Sequence, residues 1–379
     1  MSYTQMADEV IRRNFARVLQ ERTQWRDEML SLLRNKERAI YLWGMGNVGH
    51  GFYHEMKERG AIFSGWVDIC NRGGDEELPC LSPAQLLDIS NPLVIVSTAM
   101  YSRDVFLQLE QMGIKDAFDA TDFRLNFIFD DLMEMSVDHV REKVHQVFKF
   151  LLDAESKKIF YEHLNSFFSF TKGFSVPHYY YDTCCGPQYF VEDIVSFTEK
   201  DVLVDCGAYT GDTLEEFLAL EKPFRKYIAY ELSKNSFHCL EKFVERICQN
   251  SSHSRDAFNL YNLGVGAHNE EIFYDDRDSE TTCATSGKIG RIISMSEHLQ
   301  NETPTFIKMD LEGMELEALQ GAERLIHRCK PKLAICIYHS ISDLWEIPLY
   351  IKKMNPAYKM YIRQHTPHYT EAVCYAIPN

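Results

Sequence analysis

The stretch "DVLVDCGAYTGDTLEEF" at residues 201–217 decides the fold. Val202, Leu203 and Val204 form the short apolar run of a fully buried strand, and Asp205 stands at its carboxyl end. Gly207 and Gly211 then let the backbone turn tightly and approach a ligand without a Cβ in the way. From Thr213 the pattern becomes helical, and the amino end of a helix offers free N–H groups. The spacing D-x-G-x-x-x-G-D is not the dinucleotide spacing G-x-G-x-x-G. No Lys-Ser/Thr pair closes it, so a phosphate-gripping P-loop is excluded.

Downstream, strands and helices alternate. Candidate strands are "DVLVDCG", "KYIAYEL", "FNLYNLGVG", "TFIKMDL" and "KLAICIYH", followed by "KMYIRQH" and "EAVCYAIP", which face each other across a short polar turn as an antiparallel hairpin would. Seven strands ending in a hairpin suit a mixed, doubly wound sheet, whose ligands sit at the carboxyl ends of the strands.

Three further carboxyl ends carry polar side chains. "YIAYE" places Glu231 there, 24 residues past Gly207, where a carboxylate can accept both hydroxyl hydrogens of a ribose. "TFIKMD" ends in Asp310, with Glu312 in the following loop, and "KLAICIYH" ends in His339. An acidic rim suits a cationic ligand better than a polyphosphate. S-adenosylmethionine, with its sulfonium and ammonium and no phosphate, fits that description. Methyl transfer from a sulfonium is an in-line displacement that needs alignment and, for a hydroxyl acceptor, a base. Histidine is matched to that task near neutral pH. The plain alternatives are capping roles for Asp205, Asp212 and Asp310 and a solvated first-turn charge for Glu312. Two carboxylates and a histidine also suit a divalent cation, and the metal question stays open at this point.

These segments resemble a known family. "VDCGAYTGDT", "AYE", "FIKMDLEGMELEALQGAERLI", "KPKLAICIYH", "DLWEIPLYI" and the closing "YIRQHTPHYTEAVCYAIP" are similar to the FkbM family of S-adenosylmethionine-dependent methyltransferases, over roughly residues 145–379. The resemblance implies a class I methyltransferase fold and O-methylation of a sugar, glycan precursor or related metabolite. Matched position by position, it puts Asp205, Gly207, Ala208, Gly211, Asp212 and Thr213 in the cofactor turn and Glu231 at the ribose. Asp310, Glu312 and His339 would face the transferred methyl. Two positions depart from the family pattern: Leu232 replaces a proline, and Ser296 stands where many relatives carry an aspartate.

Upstream, "LWGMGNVGHGF" is the dinucleotide-type fingerprint, lying after a strand and before a helix, with Asp68 placed 19 residues beyond Gly49. Further strands are expected at "IFSGWVD" and "NPLVIVSTAM", and a leading helix or two over 5–35. Gly44, Gly46, Asn47, Gly49 and Asp68 would form a second nucleotide site, for NAD or a nucleotide-sugar, in a smaller Rossmann-like α/β domain. An NAD-dependent oxidoreductase and a non-catalytic nucleotide-binding scaffold are the competing readings. No Tyr-x-x-x-Lys or similar hydride-transfer set accompanies the fingerprint. The expected layout is 1–120 for this domain, 121–199 for a helical bridging segment, and 200–379 for the methyltransferase domain. Tyr179, Tyr180, Tyr181 and Trp345 could wall a sugar face, although packing is the commoner use of such residues.

Bulk composition agrees. The chain has 379 residues, enough for two cores, with 45% apolar and 13% aromatic side chains. A net charge of −16 opposes binding to nucleic acid or anionic lipid, leaving a small-molecule or glycan acceptor as the partner. Eleven scattered cysteines without a C-x-x-C pattern read as reduced thiols of a cytoplasmic protein. No apolar run reaches membrane-spanning length.

Overall fold

A computed structural model describes residues 1–69, 78–174, 178, 180–184, 186–250, 253–277, 280–284 and 287–379. Two compact units divide the chain. One comprises Met1–Glu142, Tyr161–Asp182 and Thr366–Thr370; the other comprises Lys143–Phe160, Thr183–His365 and Glu371–Asn379. The segment 121–199 is apportioned between them.

The first unit holds a parallel sheet of β1 (Ile40–Trp43), β2 (Gly65–Val67), β3 (Cys80–Leu81), β4 (Leu93–Val96) and β5 (Ala117–Asp119), in the order β3-β2-β1-β4-β5. Alternating side chains feed two cores, as a sheet covered on both faces requires. Ile40, Leu42, Leu93 and Ile95 pack with Trp25, Leu33 and Phe52, while Tyr41, Trp43, Val94 and Val96 pack with Val105 and Leu109. A single helix, Tyr3–Arg34, leads the chain and begins with a Ser2–Gln5 capping box. Val18 and Trp25 of this helix are buried.

The second unit is built on the stretch first quoted. β6 (Val202–Cys206), β7 (Lys226–Tyr230), β8 (Phe258–Tyr261), β9 (Gly264–Val265), β10 (Glu270–Arg277), β11 (Glu280–Ala284), β12 (Lys288–Ile293), β13 (Phe306–Met309), β14 (Lys332–Cys336), β15 (Lys359–Gln364) and β16 (Ala372–Ile377) follow in chain order. Seven of them form the main sheet, β15-β16-β14-β13-β6-β7-β8, parallel except for the closing hairpin. The order reverses between β6 and β13, which opens the crevice of a doubly wound sheet at their carboxyl ends. The other four form a small sheet, β11-β10-β12-β9, that the sequence reading did not foresee. Phe190, Phe217 and Phe306 pack against one another in the core beside β6 and β13. Among the described residues, no helix is long and apolar enough to cross a membrane, and Cys80, Cys184, Cys206, Cys239, Cys248, Cys329, Cys336 and Cys374 are free thiols.

Candidate active site

The glycine corner closes on three strands at once. The N–H groups of Gly207 and Ala208 both donate to the carbonyl of Tyr230, and Asp310 N–H donates to the carbonyl of Cys206. Gly207 lies at φ +82°, and a Cβ there would stand 1.9 Å from the carbonyl oxygen of Asp310. Only glycine fits. Gly211, at φ +100°, caps the helix Asp212–Ala219 against Phe243.

Glu231 is bound to this corner directly. Its Oε2 accepts from Tyr209 N–H at 2.9 Å and its Oε1 from Ser233 N–H at 2.7 Å. Each oxygen keeps a second lone pair, so the carboxylate can still accept two hydroxyl hydrogens. Burial raises its proton affinity, and the two N–H donors oppose that effect. Asp212 opens the helix with an exposed side chain, while Ala208 and Thr213 are buried.

Asp205 lies beneath the corner rather than on its rim. It is 2% exposed, with Oδ1 3.1 Å from Lys308 Nζ and Oδ2 accepting from Tyr227 at 2.6 Å. Lys308 also donates to the carbonyl of Gly207 at 2.7 Å. Burial alone would lower its pKa, but Asp205 and Asp310 raise it, so the ammonium persists. The Asp205–Lys308 pair thus joins two neighbouring strands and anchors the turn from below.

Beside the corner, the ends of β13 and β14 bring polar groups together. Asp310 accepts from Tyr189 at 2.9 Å and from Tyr338 at 3.1 Å. Burial would raise its pKa, yet Lys308, His339 and the Tyr189 hydroxyl hold it below the ordinary carboxylate value. His339 Nε2 lies 3.5 Å from Asp310 and 3.6 Å from Glu312, and its Nδ1 lies 2.9 Å from Glu315. Burial pushes its pKa down, but these three carboxylates push it well above the usual imidazole value, with Glu315 the strongest. Glu312 holds a left-handed backbone, φ +52°, next to Gly313 at φ +96°.

Residues 205–369 match the family model described as the methyltransferase FkbM domain. The chain carries an FkbM methyltransferase domain. A solved methyltransferase FkbM from Methylobacillus flagellatus KT is similar over 93% of both chains, at 21% identity and TM-score 0.66, which supports the shared fold. Slighter likenesses join 49% of this chain to 90% of an rRNA methylase from Streptococcus thermophilus (13% identity, TM-score 0.32). They also join 48% to 69% of Aeropyrum pernix fibrillarin, solved with bound S-adenosyl-L-methionine (11%, 0.30). No curated protein matches the chain.

Several residues around the FkbM domain's corner were not singled out from sequence. Lys308 is the lone charge in an otherwise apolar strand, a visible signal. Glu315 reads as an ordinary first-turn acid, yet its Oε1 accepts from Leu311 N–H and its side chain is 1% exposed. Tyr189, Tyr338 and Glu371 converge only through the fold: the one Tyr338 hydroxyl is shared between Asp310 and Glu371, 3.3 Å from the latter, and Gln188 donates to the same carboxylate. Burial and nearby Asp310 raise Glu371 to about 7.

Packing is the use that the structure shows for two of the aromatic residues. Tyr180 is buried in the first unit against His163, Trp345 is fully buried in the second, and Tyr179 lies outside the described residues.

In the first unit, Gly44 turns at φ +99° after β1, and a Cβ on Gly49 would meet its carbonyl oxygen at 2.2 Å. Gly46 caps the helix Asn47–Glu58, and Asp68 follows β2, with its N–H donating to Leu81. The fingerprint residues form a turn, but nothing in the likenesses above supports NAD or a nucleotide-sugar there.

Proposed function

We propose that the FkbM domain binds S-adenosylmethionine at the glycine corner and methylates a hydroxyl of a sugar, glycan precursor or related metabolite. The observation that carries this reading is the bond from Tyr209 N–H to Glu231. That bond supports the reading by holding the Glu231 carboxylate beside the corner, where it would meet a ribose. Glu231 would hold the ribose hydroxyls, and Asp212 would face the cationic end. When bound, S-adenosylmethionine supplies a methyl carbon that an acceptor oxygen attacks in line, the C–S bond breaking with its electron pair left on sulfur. Tyr338, Asp310 and Glu312 offer the mixed donors and acceptors that would orient a hydroxylated acceptor rather than an apolar one. The hydroxyl proton passes to the Asp310–Glu312 carboxylates. Asp205 and Lys308 act as positioning residues.

Calorimetry with S-adenosylhomocysteine tests the pocket. Wild type should bind, and Glu231→Gln should bind at least about tenfold more weakly, with thermal stability nearly unchanged, because one hydroxyl acceptor is lost. Absence of binding to wild type would overturn the reading. Equal binding by the variant would overturn the role of Glu231.

A further inference from the structure

Asp310, Glu315 and His339 offer one ligand-type atom each within 4.8 Å of one another. They come from the end of β13, the helix Glu315–Cys329 and the residues after β14. His339 gives the cluster its meaning. Its side chain is 10% exposed, its Nδ1 stands 2.9 Å from Glu315, and its Nε2 makes no hydrogen bond. On the inner side, Glu315 faces Nδ1 and is itself fixed by Leu311 N–H. On the outer side, Nε2 faces Asp310 and Glu312 across gaps of 3.5 and 3.6 Å.

Those gaps exceed the N–H···O range. Two ligands sharing one cation at about 2.1–2.2 Å are separated by roughly 3.0–3.6 Å, depending on geometry. The spacing therefore suits an ion between the side chains better than a hydrogen bond. We propose that His339 Nε2 and Asp310, with Glu312 at the mouth, hold a divalent cation of the Mg²⁺ or Mn²⁺ class. Glu315 keeps the imidazole in register through Nδ1. Oxygen ligands with a single imidazole favour such cations over thiolate-seeking ones, and a carboxylate behind a ligating histidine is the usual supporting group. Such a cation would keep positions for an acceptor hydroxyl; in that respect the inference rests on the methyl-transfer reading.

The full chain, stripped with a chelator, would be titrated with Mn²⁺ while electron paramagnetic resonance reports the free ion. One saturable site per chain is expected. His339→Gln and Asp310→Asn should each weaken it at least tenfold. Glu312→Gln, at an exposed position with little bearing on folding, should weaken it severalfold. Circular dichroism and S-adenosylhomocysteine binding on each variant separate misfolding from loss of the ion. No saturable uptake by wild type overturns the cation site, as does uptake unchanged in both His339→Gln and Glu312→Gln. Mn²⁺ binding without S-adenosylhomocysteine binding would leave the cation site standing and remove methyl transfer; the reverse result would remove only the cation.

Discussion

At the residue scale, the closest constraint is the contact between Gly207 and the end of β13. Gly207→Ala combines a left-handed backbone with a Cβ placed 1.9 Å from a carbonyl oxygen. Gly313 has a similar backbone, φ +96°, but its added Cβ would find only His339 Cβ at 3.7 Å. Gly313→Ala should therefore cost about 1 kcal/mol of conformational strain, and Gly207→Ala at least about 3 kcal/mol, in urea denaturation. Equal losses would contradict the close approach. The two glycines of the corner were legible because they follow a buried strand. Glu315 was not, because burial of a first-turn acid depends on a histidine 24 residues later in the chain.

At the scale of elements, Lys308 and Asp205 join β13 to β6, with both side chains 3% exposed. Lys308→Met leaves Asp205 buried without its counter-charge and should cost about 3–5 kcal/mol. Adding Asp205→Asn should recover part of that loss, and a single-variant loss below about 1 kcal/mol would refute the anchoring role. Of the main-sheet strands, β6, β7 and β14 could be read as apolar runs, and the closing pair because it flanks a short polar turn. The β9–β12 sheet could not. β9 has two residues, and "EEIFYDDR" in β10 mixes acids with apolar positions, so pairing rather than composition makes these strands. β3, with two residues, escaped for the same reason.

Across the whole molecule, the two units should respond to different variables. Saturating S-adenosylhomocysteine should slow amide hydrogen exchange at Gly207–Thr213 and Glu231–Ser233, leaving β1, β2 and β4 unchanged; protection confined to those three strands would place the ligand elsewhere. The first unit should instead respond to pH through Asp122. Burial raises this carboxyl to about 6, with Asp119 adding to the rise and Arg22 and His368 opposing it. Its folded pKa exceeds the unfolded value. The protonated group's contribution is thus complete below about pH 4 and is lost as pH rises through 6. Relative to Asp122→Asn, wild type should lose about 1–2 kcal/mol between pH 4 and 7 in denaturation curves, after a discount for partial exposure. A difference independent of pH would refute this.

The sealed position of Lys308 and Asp205 has an outcome for work in concentrated salt. Mobile ions screen exposed acids such as Asp212, which on the proposed reading would face a cationic ligand, but they do not reach a pair shut away from water. Raising ionic strength should slow capture of the ligand while the crevice that receives it keeps its shape.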